Sequence, residues 1–168
     1  MDPTPPERSN KAKRVGVCLL ALGVLLILTH ELVLSVYQVS GVSMLPALRD
    51  GQRVVVLKRF YAVARGDQLV FKNPNAPDEV LVKRVLFLPG ERFEVAGGQI
   101  RLDGGSGGSI GSHLQPGVGA LGRIPASVVP SESFFLVGDN LAESIDSRTL
   151  GAIPRRLVVG KVVRTLGQ

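Results

Sequence analysis

The chain begins polar and basic and then changes abruptly. Residues 15–28 (VGVCLLALGVLLIL) carry no charged or strongly polar side chain, and after Thr29, His30 and Glu31 the apolar character returns in LVLSVY. Residues 15–36 therefore predict one helix. At about 1.5 Å per residue it covers about 33 Å, close to the roughly 30 Å hydrocarbon core of a bilayer. From residue 37 the pattern becomes short β-rich runs broken by Gly, Pro and Asp: VYQV, RVVVLK (53–58), QLVFK (68–72), VLVKRVLFL (80–88), RFEV, QIRL, FFLV (134–137) and LVVGKVVRT (157–165). These predict strands, and no helix of ten or more residues is expected among them. Gly97-Gly98 can supply the positive φ angles of a tight turn, so the runs on either side predict a hairpin. Residues 103–122 hold eight of the 20 glycines and predict a flexible loop that buries little. Strands must protect their edges, so the expected fold is mainly β, a partly closed, barrel-like sheet behind one N-terminal transmembrane helix.

Length and charge refine this picture. At 168 residues the chain has room for one folded domain. The expected organisation is a basic tail (1–14), a transmembrane anchor (15–36) and an external domain (37–168) containing the Gly-rich loop. A net charge of +6 and a pI near 10.0 suit a nucleic-acid partner at first sight. However, Arg8, Lys11, Lys13 and Arg14 abut the apolar run, and 5% aromatics with no Trp leave few platforms for base stacking. A lipid bilayer accounts for the charge better than nucleic acid does. Glu31 is the only charged residue between Arg14 and Arg49. The basic flank therefore puts the N-terminus in the cytoplasm and the domain on the outer face. A cleaved secretory signal is the alternative, with Val33 and Ser35 as a small-x-small site. It fits less well, because His30 and Glu31 occupy the place of an uncharged small-residue segment. Cys18 is the only cysteine and His30 and His113 the only histidines, so neither a disulfide framework nor a metal centre is expected, and no cofactor is implied.

A nucleophile must then come from Ser, Thr or Lys, since Cys18 lies in the predicted span. Histidine is a poor choice of base, because His30 sits in the anchor and His113 in the Gly-rich loop. A serine activated by a neutral lysine remains. Such a lysine must be buried, because at a pKa of about 10.4 only about 0.4% is neutral at pH 8. Lys58 adjoins Arg59, Lys72 adjoins Asn73-Pro74 and Lys161 lies in the last strand. Lys83 is the best embedded, and alternation puts it on the face of Leu81, Val85 and Phe87. The competing reading is a lysine snorkelling at a sheet edge with its head in water.

Four segments in order carry a resemblance. Ser40-Gly41-Val42-Ser43-Met44-Leu45-Pro46-Ala47-Leu48 resembles the Ser-Met-x-Pro box of bacterial type I signal peptidases. Arg65-Gly66-Asp67-Gln68-Leu69-Val70-Phe71 resembles that family's second box, and Val82-Lys83-Arg84-Val85 with Leu88-Pro89-Gly90-Glu91 its lysine box. Gly138-Asp139-Asn140 through Ser144, Asp146 and Arg148 is similar to its Gly-Asp-Asn box. The resemblance implies a membrane-anchored serine endopeptidase that removes N-terminal signal peptides from exported precursors. In it Ser43 is the nucleophile, Lys83 the general base and Ser144 the hydroxyl that bonds the lysine, while Asp146 and Arg148 form a supporting pair. Asp139 and Asn140 read as turn formers. Asp146 and Arg148 read as structural rather than catalytic, as an exposed ion pair.

Some positions depart from the family pattern. Gly41 stands where some members place a serine that helps the oxyanion hole, so the hole falls to backbone, chiefly the Ser43 N–H and the region of Gly41. Leu141-Ala142-Glu143 replaces the more usual Arg-Asp-Asn. Residues 103–122 stand where larger members carry an extra β subdomain. The implied substrate is an extended strand with small residues at positions −1 and −3, held in shallow pockets lined by short or branched side chains. Met44 and Leu45 have a further reading as contacts with bilayer or signal peptide, beside plain core packing. Three rivals remain: a dedicated conjugative-transfer or pilin-processing peptidase, a self-cleaving repressor, and a non-catalytic membrane-anchored β module that binds peptides. The repressor needs a DNA-binding helix-turn-helix, where residues 1–36 offer an apolar span. The binder leaves both dyad residues without a purpose.

Overall fold

The computed structural model describes residues 8–59, 61–103, 105–106, 112, 114 and 117–167. His113, residues 1–7 of the basic tail and part of the Gly-rich stretch lie outside the described residues, as do the side chains of His30 and Glu31. The chain divides into two units, Met1–Leu34 and Ser35–Gln168.

The first unit is a helix, α1 (Arg8–Val33), in which Val15, Val17, Leu19, Leu20, Leu22 and Val24 are exposed. Among the described residues no helix is long and apolar enough to cross a membrane. The predicted helix over 15–36 also runs too far at its C-terminal end, because Leu34–Gln38 is a strand, β1. Leu34-Ser35-Val36-Tyr37 has the branched and aromatic content of a pleated surface, and β1 takes its place beside the next strand instead of prolonging the helix.

The second unit is built from short strands. After β1 come β2 (Arg53–Leu57), β3 (Gln68–Asn73), β4 (Ala76–Phe87), β5 (Arg92–Ala96), β6 (Gln99–Leu102), β7 (Gly105–Ser106), β8 (Ile124–Val128), β9 (Ser133–Val137), β10 (Ile153–Pro154) and β11 (Val158–Leu166). A single-turn helix, α2 (Ser147–Leu150), precedes β10. Each predicted strand run coincides with an observed strand. β7, β8 and β10 were not predicted. Pro125 and Pro154 disguise the last two, and each is an edge strand, the place where a residue without an N–H is tolerated.

The strands form two open sheets rather than one partly closed barrel. Seven are ordered β1-β2-β11-β3-β4-β9-β10, and four are ordered β7-β6-β5-β8. The barrel expectation fails because β4 ends at Phe87, and the chain after Leu88-Pro89-Gly90 starts a separate sheet at β5 instead of extending the first. Phe87 of β4, Phe93 of β5 and Phe135 of β9 join the sheets. Phe87 stacks on Phe93 at 3.9 Å between ring centroids, and Phe93 meets Phe135 edge-on at 5.1 Å. The hairpin at Gly97-Gly98 forms as expected, with both residues at positive φ.

The Gly-rich stretch buries more than its composition suggests. Leu114 and Leu121 pack into the core beside Phe87, Phe93 and Leu141, with Leu121 in a 3-10 turn (Val118–Leu121). Glycine density told of backbone freedom and hid these two apolar anchors.

Candidate active site

Ser43 lies in the loop between β1 and β2. The base of that loop is tied by Val39 N–H to Gln52 O at 2.8 Å and Gly51 N–H to Val39 O at 2.9 Å. Met44 and Leu48 anchor it, both almost fully buried with Val39, Val54, Val56 and Val70. Met44 is thus a core residue, and its alternative reading as a bilayer or peptide contact is corrected; Leu45 is half-buried. Two apolar anchors next to a half-buried serine fix the loop while leaving the hydroxyl reachable. Gly41 adopts φ +88°, a conformation that a serine would occupy only with strain, and its N–H donates to Asp50 Oδ1 at 2.7 Å. The Ser43 N–H donates to no acceptor among the described residues.

Lys83 reaches the same point from the middle of β4, opposite Leu69 of β3. It is 3% exposed, which settles the choice between a buried and a snorkelling lysine in favour of burial. Its Nζ lies 2.6 Å from Ser43 Oγ. Burial drives its pKa down to about 8, against the opposing pull of the Asp146, Glu79 and Asp139 carboxylates. Leu81 and Val85 share one core cluster, as alternation predicts, but Phe87 joins another because the register shifts between Val85 and Phe87. Of the other lysines weighed as bases, Lys161 is held by Asp67 at 2.8 Å.

The segment after β9 closes the site from the other side. Asp146 is fully buried and accepts from Arg148 Nε and Nη2 at 2.8 and 2.9 Å, from the Gly138 N–H at 3.0 Å and from the Ser144 hydroxyl at 2.7 Å. Burial pushes its pKa up, yet the Arg148 guanidinium and these donors outweigh that and hold the carboxyl below its usual range. The pair is therefore not the exposed ion pair expected. Nor does Ser144 bond the lysine as expected: its hydroxyl is committed to Asp146, and no hydrogen bond joins it to Lys83. It sits within the charge network that surrounds the lysine.

Asp139 and Asn140 do more than turn the chain. Asp139 is fully buried and holds Arg84 by two bonds, to Nε at 2.8 Å and Nη2 at 2.6 Å, so the residue next to Lys83 is clamped to the segment carrying Ser144 and Asp146. The Asn140 N–H donates to Ser43 O at 3.0 Å, and its side-chain amide reaches Val42 O at 3.3 Å. Gly138 has no room for a side chain, since a Cβ there would fall 2.6 Å from Ser43 O and against the Ser144 hydroxyl. The sequence signal for these roles was the Gly-Asp-Asn run itself, which turn propensity explains too readily.

Two cavities open on the Ser43–Lys83 pair. One, of about 150 Å³, is walled by Tyr37, Val39, Val54, Val70, Val80 and Val82. The other, of about 190 Å³, is walled by Gly41, Val42, Asn73, Glu79, Glu143 and Ile145. Ser40 and Leu81 border both. Among the described residues no group of three or more His, Cys, Asp or Glu could hold a metal ion.

The family model described as "Signal peptidase, peptidase S26" matches residues 12–166. The chain belongs to this family. It is 34% identical over 139 residues to signal peptidase I V of Bacillus subtilis (strain 168), which covers 75% of this chain and 82% of that protein. It is 31% identical over 163 residues to signal peptidase I of Leptolyngbya laminosa, over 90% of this chain and 75% of that one. The crystal structure of a signal peptidase I from Enterococcus faecalis V583 superposes with a TM-score of 0.50 at 24% identity, covering 62% of this chain and all of that one, and so shares the fold. Membership makes the chain a hydrolase of the serine endopeptidase class.

Proposed function

We propose that the protein is a membrane-anchored peptidase that cuts N-terminal signal peptides from exported precursors with Ser43 as nucleophile and Lys83 as general base. The observation that carries this reading is the 2.6 Å contact between Lys83 Nζ and Ser43 Oγ in a place where burial lowers the lysine pKa to about 8. At pH 8 about half of such a lysine is neutral, against about 0.4% of an ordinary one. The neutral amine accepts the Ser43 proton as Oγ attacks the scissile carbonyl, then passes it to the leaving amine. Water, activated by the same amine, releases the acyl group. The Ser43 N–H, which meets no acceptor among the described residues, is the donor for the oxyanion, which gives the backbone the task that a serine at position 41 would share.

The apolar cavity suits small side chains of an extended substrate, because Val54, Val70 and Val82 close it with short branched groups. Ser144, Asp146 and Arg148 act behind the dyad as positioning residues. The anchor rests on the apolar run at 15–28 and its basic flank, with the N-terminus cytoplasmic and Ser35–Gln168 on the outer face. The full-length protein in detergent should cleave a signal-bearing precursor, and Ser43→Ala and Lys83→Ala should each abolish the cut. Cleavage by the folded Ser43→Ala variant would remove Ser43 from the mechanism.

A further inference from the structure

The two cavities at the dyad differ in charge. Among the described residues the first has no charged wall residue apart from Lys83. The second places two carboxylates there, Glu79 from β4 and Glu143 from the 3-10 turn Leu141–Glu143. These come from separate elements that converge only in the fold, so the pair is not a charge run on one strand. Among the described residues the only cation in its wall is Lys83, and Lys83 must be neutral to act as base. Other cations nearby are already engaged: Arg148 by Asp146 and Arg84 by Asp139. Glu79 accepts from the Asn73 side-chain amide, a neutral donor that leaves its charge uncancelled. The Glu143 carboxylate is exposed and makes no hydrogen bond or ion pair with a described residue. Val42, Leu81 and Ile145 supply apolar wall to the same cavity, and Ile145 is 63% exposed.

We infer that this second cavity is a specificity subsite for a basic side chain of the substrate, lysine or arginine, lying beside the scissile bond. A long alkyl stem covers the apolar wall while its cationic head reaches the two carboxylates, the arrangement in which amphipathic side chains lose least hydration. An acidic side chain in the same place meets two like charges. Both carboxylates touch solvent, so the preference is moderate and falls with ionic strength. The inference rests on the signal-peptidase reading of the dyad and adds a charge preference at one subsite that the apolar cavity does not share.

The test uses the full-length protein in detergent and a set of precursor peptides that differ only by Lys, Gln or Glu at each position flanking the cut. At one position kcat/KM for Lys should exceed that for Glu by about tenfold at low salt. The ratio should fall toward unity in about 0.5 M salt. It should shrink to about threefold or less in the variant carrying Glu79→Gln and Glu143→Gln. Should that variant not fold, Glu143→Gln alone, at an exposed residue, and the wild-type salt dependence carry the same comparison. If the wild type cleaves no peptide at all, the proposed function itself fails. If it cleaves them with no preference, with a preference for Glu, or with a Lys preference that salt and Glu143→Gln leave intact, the subsite is overturned and the peptidase reading stands.

Discussion

The Ser144 hydroxyl donates to Asp146 Oδ2 at 2.7 Å, and Asp146 is the carboxylate that most strongly opposes loss of the Lys83 proton. The serine thus belongs to a chain of contacts that runs from Arg148 through Asp146 toward the lysine. Ser144→Ala removes a hydrogen bond to a charged acceptor, worth about 1.5–3 kcal/mol. Asp146 keeps Arg148 and the Gly138 N–H, so the carboxylate remains ionised and in place. Turnover should fall about tenfold without being lost, and the pH–rate midpoint should move by no more than about half a unit. Complete inactivity in a folded Ser144→Ala protein would mean that this hydroxyl touches the reacting atoms.

Gly138 offers a sharper steric test. A methyl group there would collide with the Ser144 side chain and lie 2.6 Å from Ser43 O, the carbonyl that receives the Asn140 N–H. One of these neighbours is backbone and cannot swing away. Gly138→Ala should lower kcat/KM by about 100-fold or more, and stability by about 1–3 kcal/mol, typical of overpacking. Denaturant unfolding and peptide cleavage measure the two losses. Wild-type activity in this variant would show that the Ser43 loop tolerates displacement.

Much of the fold was legible in the sequence because period-2 alternation reports a half-buried strand directly, as in Arg53-Val54-Val55-Val56, where Val54 and Val56 are buried and Val55 is only partly so. Lys83 was legible for a related reason: a charged residue inside VLVKRVLFL is conspicuous. Pairings between distant segments were not. Nothing in Asp139 announces that it clamps Arg84, since an Asp-Asn pair reads as a turn until the partner 55 positions away is known. Leu114 and Leu121 were hidden by the glycines around them. Sheet closure was misjudged because it depends on where one strand ends, and Leu88-Pro89-Gly90 begins a second sheet.

Lys83 should make the protein less stable than a neutral replacement does. Its folded pKa, about 8, lies below the ordinary 10.5, so between these values the unfolded chain binds more protons than the folded one. Stability therefore rises as pH increases from about 8 to about 10.5, and the full penalty is present below pH 8. The gap corresponds to about 3 kcal/mol. Lys83→Met should unfold at higher denaturant than wild type at pH 7, with the advantage shrinking toward pH 10.5, and should be inactive. A Lys83→Met protein no more stable at pH 7 would show that the buried ammonium is well solvated or paired.

The same lysine sets the pH dependence of the reaction, with the sign of any general base but a midpoint far above that of an ordinary carboxylate. The active form is the neutral amine, so the rate should climb through a midpoint near 8 and level off above it as the ammonium disappears. Desolvation is the main cause, and polar replacements that let water reach Nζ should shift the midpoint upward. Leu81→Asn tests this from the wall common to both cavities: its midpoint should rise by about half a unit to one unit, with lower activity at pH 7 and recovery at pH 9. Lys83→Arg should stay inactive across the range. Guanidinium keeps the charge beside Ser43 Oγ but does not release its proton below about pH 12. Turnover by Lys83→Arg with a midpoint still near 8 would assign that titration to another group and displace Lys83 as the base.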